Sequence, residues 1–472
     1  MRLEHQSSKA GAKAVYVGRR PYNKGAVTYL EALRYLYSLA DFERSGRFAD
    51  RQDVAPVHML LEELGDPHLG RITVHIAGSK GKGSVAAMVA SMLKSAGRRT
   101  GLFTSPHLNR FPERIQVDGD PVSNDEFAAG VEQVAAAVER VRTRLPERQI
   151  LTFDALTALG FLLFLQHEVE VQVIEVGLGG SLDSTNVFGP GEKQVSVITN
   201  IGLEHREILG DTVAEIAAQK AGIIVAGCPT VMAPQRESAA EVIREVAAER
   251  GSTLIEVAGV CNLRRDSIGT EFQNFRLRTP RGGYQIKLPL LGKHQLDNAA
   301  TAVMAIEALS PAGVAVGEEA VKAGLEVVKW PARIEAIKRR PLVIVDAAHT
   351  ADSARRLRDT LEEYYRVSGA TLVVGVMGDK DLEGLAMAIE PVARRVIATR
   401  ADHPRALDAE AVARVFQDMG VETLTQPKLG DAIDVALSLS TPSDAVVILG
   451  SVALAGEARA YVLGLERDPP VV

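Results

Sequence analysis

From Ile72 to Ala77 the chain favours a strand, from Gly78 to Gly83 it is glycine-rich and basic, and from Ser84 it turns helical. No other stretch constrains the fold as much. A strand (Ile72-Thr73-Val74-His75-Ile76-Ala77) that ends in Gly78-Ser79-Lys80-Gly81-Lys82-Gly83-Ser84 must release its backbone into a tight turn at the mouth of a helix. Glycines there let the backbone approach an anion, its N–H groups form a nest, and the helix N-terminus adds partial positive charge. Those are the requirements for holding a nucleoside triphosphate, with Lys82 reaching the terminal phosphates and the Ser84 hydroxyl ligating Mg2+. The helix is marked by Val85, Met88, Val89, Met92, Leu93 and Ala96, with Gly97 as its stop. Gly83 stands between Lys82 and Ser84, a departure from the common G-x-x-x-x-G-K-[ST] spacing.

Composition allows that reading and removes others. A chain of 472 residues is too long for one core and predicts two domains. Its 54 basic and 60 acidic residues give no general attraction to nucleic acid. Two cysteines, Cys228 and Cys261, stand far apart without metal-ligand spacing, which fits a reducing cytoplasm and no disulfide framework. Residues 1–25 are polar and basic, unlike a signal peptide, and read as a flexible leader. The most apolar run, Ala155 to Leu165, is too short to span a bilayer. The expectation is therefore a cytoplasmic protein without membrane or nucleic-acid partners.

Beyond the leader, helices are expected at Thr28–Leu39 and Val57–Leu64, separated by a charged loop, Asp41–Asp53. Strand and helix patterns then alternate, the signature of a largely parallel sheet. Strands are predicted at 171–176, 195–199, 230–232 and 253–257, an antiparallel excursion at 263–291, and helices at 294–309 and 317–328. The pattern breaks at Val328-Lys329-Trp330-Pro331-Ala332-Arg333 and restarts with strands at 342–346, 371–377, 395–399 and 445–449. We therefore divide the chain into residues 26–328 and 329–472. Asp346, Gly378-Asp379, Arg400 and Gly450-Ser451 would line one edge of a smaller, doubly wound second unit.

Three more segments carry chemistry. Glu175 ends a buried strand before Gly177-Leu178-Gly179-Gly180, where an acid can ligate the nucleotide's metal. His205 follows another strand end, Ile198–Leu203 with Glu204. Thr212 and Glu215 form a capping box that starts a helix carrying Lys220. By periodicity alone, Lys220 reads as a solvent-facing helix lysine.

Taken together, these motifs resemble the folylpolyglutamate synthase/dihydrofolate synthase family of Mur-ligase-like amide ligases. The carriers are HIAGSKGKGSVA (75–86), GLFTSPHL (101–108), ERIQVDG (113–119), EVGLGGSLDSTN (175–186), ITNIGLEHREILGDT (198–212) and AQKAGII (218–224). They continue with LLGKHQLDNAATA (290–302), WPARIE (330–335), DAAHT (346–350), GVMGDKD (375–381), TRADHPRA (399–406) and GSVALAGE (450–457). TSPHL with EVGLGG and DKD is typical of the folate branch rather than the peptidoglycan ligases. The resemblance runs from about Thr28 to about Arg459. It implies an α/β fold: a Mur-ligase-like P-loop ATPase domain with a mostly parallel sheet, plus a smaller Rossmann-like C-terminal domain that binds glutamate.

It also implies roles. Gly78, Ser79, Lys80, Gly81, Lys82, Gly83 and Ser84 would hold ATP together with Asn298, Arg333, Asp346 and His349. Ser84 and Glu175 would hold one Mg2+, and His205 would help hold a second. Lys220 matches a lysine carbamylated in the superfamily, where CO2 turns a cation into a metal-binding anion. Lys82, Glu175, His205 and Lys220 would be the catalytic set. Thr104, Ser105, Pro106 and His107 would border the folate pocket, with Phe153 and Asp154 lining it. The implied reaction activates a folate carboxylate of dihydropteroate or a reduced folate as an acyl phosphate, which the amine of L-glutamate then displaces. A monomer is the family's usual form. The chain departs from the family at Ser79-Lys80, Ser181, Glu204, Asp154, Ala347 and Thr350. Competing readings are a Mur-like ligase acting on another acid, a non-catalytic nucleotide-binding switch, and a P-loop motor. The co-occurrence of Glu175, His205 and Lys220 disfavours the switch, and the lack of a basic groove disfavours the motor.

Overall fold

The computed structural model describes residues 27–41 and 53–469. The expected leader and nearly all of the loop 41–53 lie outside the described residues. The first domain is built on an eight-stranded sheet: β1 (Ile72–Ala77), β2 (Thr100–Phe103), β3 (Ile115–Val117), β4 (Asp120–Pro121), β5 (Val171–Glu175), β6 (Val195–Ile198), β7 (Thr230–Met232) and β8 (Leu254–Glu256). Its order is β4-β3-β2-β5-β1-β6-β7-β8, parallel from β2 to β8, with β3 and β4 folding back antiparallel. The interior of β5, β1 and β6 is buried on both faces, which is why these strands read as continuous Val/Ile runs. Ile76 lies opposite both Glu175 and Val197. That register brings Gly78, Glu175 and Thr199 to one rim, the carboxyl ends of the strands.

Helix Lys82–Ser95 covers one face, packed against helices Lys293–Ala308 and Glu318–Val327. The contact is close: a Cβ on Gly324 would lie 2.5 Å from Met92 Cα. The other face is covered by helices Asn124–Arg144 and Thr152–Gln166, over which Tyr29–Ser38 and Ala55–Glu63 pack. Thr152–Gln166 contains the chain's most apolar run and is buried on nearly every position. Among the described residues, no helix is long and apolar enough to cross a membrane.

The expected excursion is a three-stranded antiparallel sheet, β9 (Asn262–Ile268), β10 (Gln273–Arg278) and β11 (Gly283–Leu288). Phe275, Leu277, Tyr284, Ile286 and Leu288 alternate into the first domain's core. Toward the second domain the excursion presents polar groups: Arg265 pairs with Glu363, Glu271 with Arg339, and Gln273 Oε1 accepts the Tyr364 hydroxyl at 2.6 Å.

The second domain holds β12 (Glu335–Arg339), β13 (Leu342–Val345), β14 (Ala370–Val374), β15 (Ala393–Arg400), β16 (Thr423–Lys428) and β17 (Ala445–Leu449), ordered β12-β13-β17-β14-β15-β16. All are parallel except β12. The sequence reading finds the four inner strands and misses β12 and β16. Both are half-exposed edge strands, β12 rich in charge and β16 polar with Pro427, so neither shows an apolar run. Asp346, Gly375, Arg400 and Gly450 leave the strands at one rim. There Gly450 (φ 125°) lets β17 and β14 close up, since a Cβ would sit 2.4 Å from the Gly375 carbonyl oxygen.

Candidate active site

The phosphate loop uses its glycines for close approach. A Cβ on Gly78 would lie 1.9 Å from Thr199 Oγ1, and one on Gly81 would lie 2.4 Å from Asn298 Oδ1. Both glycines also have positive φ, 147° and 92°. Gly83 is required for a different reason: a Cβ would lie 2.5 Å from Trp330 Cζ2. The unusual Lys82-Gly83-Ser84 spacing thus makes room for the tryptophan that opens the interdomain linker. The N–H groups of Ser79 and Lys80 donate to the Asn200 carbonyl, tying the loop to the end of β6. Ser84 is buried, and its hydroxyl accepts from Gln295 at 3.4 Å; Gln295 in turn accepts from Asn298 at 2.9 Å.

Glu175 is 4 % exposed, and its carboxylate accepts the Ser105 N–H at 3.3 Å. Burial lifts its pKa to about 7, against the pull of Lys82 and Arg333. A buried carboxylate with one long hydrogen bond, at the rim where the phosphate loop begins, suits a cation. Among the described residues, no group of three His, Cys, Asp or Glu could hold a metal by itself. Mg2+ at such sites takes one or two protein oxygens and completes its shell with phosphates and water, so Ser84 and Glu175 fit the ion.

Lys220 is not solvent-facing. It is 2 % exposed, and its ammonium donates to the Gly78 carbonyl at 2.8 Å. Periodicity failed here because Gly180 and Gly222 let a loop press onto the helix: a Cβ on Gly180 would lie 2.9 Å from Lys220 Cα, and one on Gly222 would lie 2.0 Å from Ser181 Oγ. Burial pushes the Lys220 pKa down to about 7, opposed by Glu204 at 3.9 Å. Glu204 also meets Lys80 at 3.0 Å. Although burial opposes its charge, Lys80, Lys220 and Lys82 hold its carboxyl well below the usual range. His205 (φ 51°) is pushed down to about 4, chiefly by burial, so its imidazole is neutral and able to ligate.

The second domain contributes from above. Ala332 (φ 55°) and Ile334 (φ 51°) flank Arg333, and a β-branched residue in the left-handed region is strained. Asp346 holds this turn: its carboxylate accepts from Ile334 N–H at 2.8 Å and from Ala348 N–H at 2.7 Å. Arg333 is thereby fixed within electrostatic reach of Asp346 and Glu175. His349 Nδ1 lies 2.8 Å from the Ala347 carbonyl, which places its proton there. Burial and Lys80 depress its pKa to about 3.

On the acceptor side, Thr104 is buried, Ser105 and His107 are half-buried and Pro106 is exposed. His107 Nδ1 accepts from Arg114 at 2.8 Å. The Phe153 ring lies over Gly177, where a Cβ would meet it at 2.6 Å. Asp154 stands at the start of helix Thr152–Gln166. It is 1 % exposed and accepts from Leu151 N–H at 2.9 Å and Ser184 Oγ at 2.7 Å, so it fixes a helix start and the loop after Gly180.

Residues 76–306 match the Mur ligase middle domain, and residues 332–452 match the Mur ligase glutamate ligase domain. The chain is 36% identical over 444 residues to the dihydrofolate synthase/folylpolyglutamate synthase of Mycobacterium tuberculosis, covering 88% of this chain and 90% of that protein. It is 32% identical over 443 residues to the folylpolyglutamate synthase of Lacticaseibacillus casei, covering 93% and 99%. The crystal structure of Mycobacterium tuberculosis folylpolyglutamate synthase complexed with ADP and AMPPCP superposes with a TM-score of 0.85 at 34% identity, covering 93% of this chain and 100% of that one. The chain belongs to the folylpolyglutamate synthase/dihydrofolate synthase family. It is accordingly an ATP-dependent ligase, with the mostly parallel first domain and separate α/β second domain expected of that family.

Several departures from the family pattern have local explanations. Thr350 caps the helix Ala351–Tyr365, accepting from Ser353 N–H at 3.3 Å, and Ala347 is buried core. Ser181 is spent on the Gln219 carbonyl, which its N–H reaches at 2.9 Å and its hydroxyl at 3.1 Å. Lys80 and Glu204 are one ion pair, so these two departures meet in a single contact. Sequence reasoning assigned no role to Gln295 or Lys380. Gln295 follows His294 on the helix that carries Asn298, and a buried amide beside the loop serine was the available signal. Lys380, in the Asp379-Lys380-Asp381 run, bears electrostatically on His205 and His349.

Proposed function

We propose that this ligase joins L-glutamate to a folate carboxylate through an acyl phosphate. The carrying observation is the Ser105–Glu175 hydrogen bond, which ties the Thr104–His107 loop to the same carboxylate that faces Lys82. An acid held by that loop lies next to the terminal phosphate of a nucleotide held by residues 78–84. Its carboxylate oxygen attacks the γ-phosphorus, and the bond to the bridging oxygen of ADP breaks. The amine of glutamate then attacks the acyl carbon, loses a proton and expels phosphate. When bound, one Mg2+ on Ser84 and Glu175 and another on His205 and a Lys220 carbamate would offset the charge of the two reacting anions. Lys82 and Arg333 stabilise the transferred phosphoryl group, and closure of residues 329–472 over it keeps water from the acyl phosphate. Asn298, Asp346 and His349 complete the nucleotide site.

Phosphate release from Mg-ATP and L-glutamate tests this with dihydropteroate, tetrahydrofolate or no acceptor. Release with dihydropteroate alone defines a dihydrofolate synthase, with tetrahydrofolate alone a polyglutamate-extending enzyme, and with both a bifunctional one. No acceptor-dependent release from a folded, ATP-binding protein overturns the reading and favours a different acid substrate.

Lys220 carries CO2 in this proposal. A neutral amine is the reactive form; its nitrogen bonds the carbon of CO2 and releases a proton. A lysine with a pKa of about 7 gains neutral amine as pH rises through neutrality. A carbamate carbon signal from 13C-bicarbonate is expected to grow across that interval and to be missing in Lys220→Met. Equal signals in both proteins would exclude the modification.

A further inference from the structure

Past Arg459 the chain makes contacts that no step of the proposed reaction uses. Helix Val452–Leu463 ends at Gly464 (φ 68°), and the following residues run back onto the first domain. Asp468 is inserted there, its side chain 5% exposed. Its carboxylate accepts the Tyr29 hydroxyl at 2.7 and 2.9 Å and the Phe111 N–H at 2.8 Å, and it lies 3.6 Å from Arg110 Nε. Its own N–H donates to the Asn109 carbonyl at 2.9 Å, and Glu466 pairs with Arg110 at 3.1 Å. A charge this enclosed is costly unless donors surround it, and here they do.

Its partners are the far end of the acceptor loop. Phe111 meets His107 at a tilt of 49°, with ring centroids 4.4 Å apart. Arg110 lies over the Tyr29 ring at 5.3 Å. Leu108 is pressed from the second domain by Gly456, where a Cβ would lie 2.2 Å from the Leu108 carbonyl oxygen. The segment Ser105–Phe111 is thus held at its start by Glu175 and at its end by Asp468.

We propose that Asp468 is a positioning residue for the acceptor: the C-terminal segment of the second domain fastens the loop that borders the folate pocket, coupling the pose of that domain to acceptor binding. The adjoining cleft, about 750 Å³ and lined by Asn109, Arg110, Glu113, Arg459, Leu465 and Glu466, is not itself an anion site. Its cations are already committed, Arg459 to Glu335 and Arg110 to Glu466 and Asp468.

The proposal rests on the folate reading of the loop, so its test has one arm that does not. Hydrogen exchange without substrates, in full-length Asp468→Asn, Tyr29→Phe and a chain ending at Gly464, is expected to speed up at residues 105–111 and to stay unchanged at the phosphate loop. Unchanged exchange at 105–111 in all three overturns the proposal, whatever the acceptor is. In the kinetic arm, Asp468→Asn raises the acceptor KM roughly tenfold or more, the equivalent of one charge-assisted hydrogen bond. The ATP KM and kcat stay within about twofold of wild type, well below that effect. A parallel rise in the ATP KM, or an unchanged acceptor KM, refutes the positioning role. Absence of acceptor-dependent turnover in the wild type is instead the failure of the folate reading, and exchange then decides the fastening alone.

Discussion

Replacing Lys82 with methionine is expected to lower acceptor-dependent phosphate release by about three orders of magnitude while leaving the melting temperature nearly unchanged. Two losses add. The first is the cation at the mouth of helix Lys82–Ser95, which faces the charge that develops on the phosphoryl group. The second acts through Glu175, whose pKa of about 7 already includes the lowering effect of Lys82. Without that cation the carboxyl rises further, and at neutral pH more of it is protonated and unable to hold a metal. The acidic limb of the rate profile therefore moves to higher pH in Lys82→Met. Rates measured across neutral pH check both parts. A variant within tenfold of wild type, with an unmoved limb, would remove Lys82 from the catalytic set.

Gly83→Ala is expected to lower both stability and the efficiency with which ATP is used. Its Cβ would lie 2.5 Å from Trp330 Cζ2 and 3.0 Å from Cε2, so the indole must move. Overpacking of this kind costs about 1–3 kcal/mol of stability. The larger effect is on catalysis, because Trp330 opens the strained turn that aims Arg333; a displacement near 1 Å there can cost about 100-fold in kcat/KM for ATP. Trp330 is the chain's one tryptophan, so its emission reports this site alone. A shifted emission, a lower melting temperature, and a smaller effect of Gly83→Ala on the melting temperature when Trp330 is already alanine are the expected set. Unchanged emission with an unchanged KM for ATP would mean that the ring yields freely.

What the sequence made legible was local. Val/Ile runs mark β1, β5 and β6 because both faces of those strands are buried, and the capping box at Thr212 and Glu215 forms as read. What it hid depends on contacts between distant segments. Lys220 reads as exposed until Gly180 is seen pressed against its helix. Nothing local in the sequence shows that Asp154 joins Leu151 to Ser184. β12 and β16 lack apolar runs because sheet edges need none. Asp468 carries no local pattern, since all its partners lie more than 350 residues earlier in the chain.

The excursion β9–β11 gives helix Ala351–Tyr365 a mechanical meaning. The helix is pinned at its C-terminal end, where Glu363 and Tyr364 meet Arg265 and Gln273. Its other end begins at Thr350, next to His349 on the rim of the site. Fifteen residues at 1.5 Å each make an arm of about 22 Å, so a rotation of about 5° at the pinned end sweeps the other end by about 2 Å. A rotation of the second domain about the contacts of Glu363 and Tyr364 with the excursion therefore moves the His349 end by about 2 Å while the Arg265 end stays nearly in place.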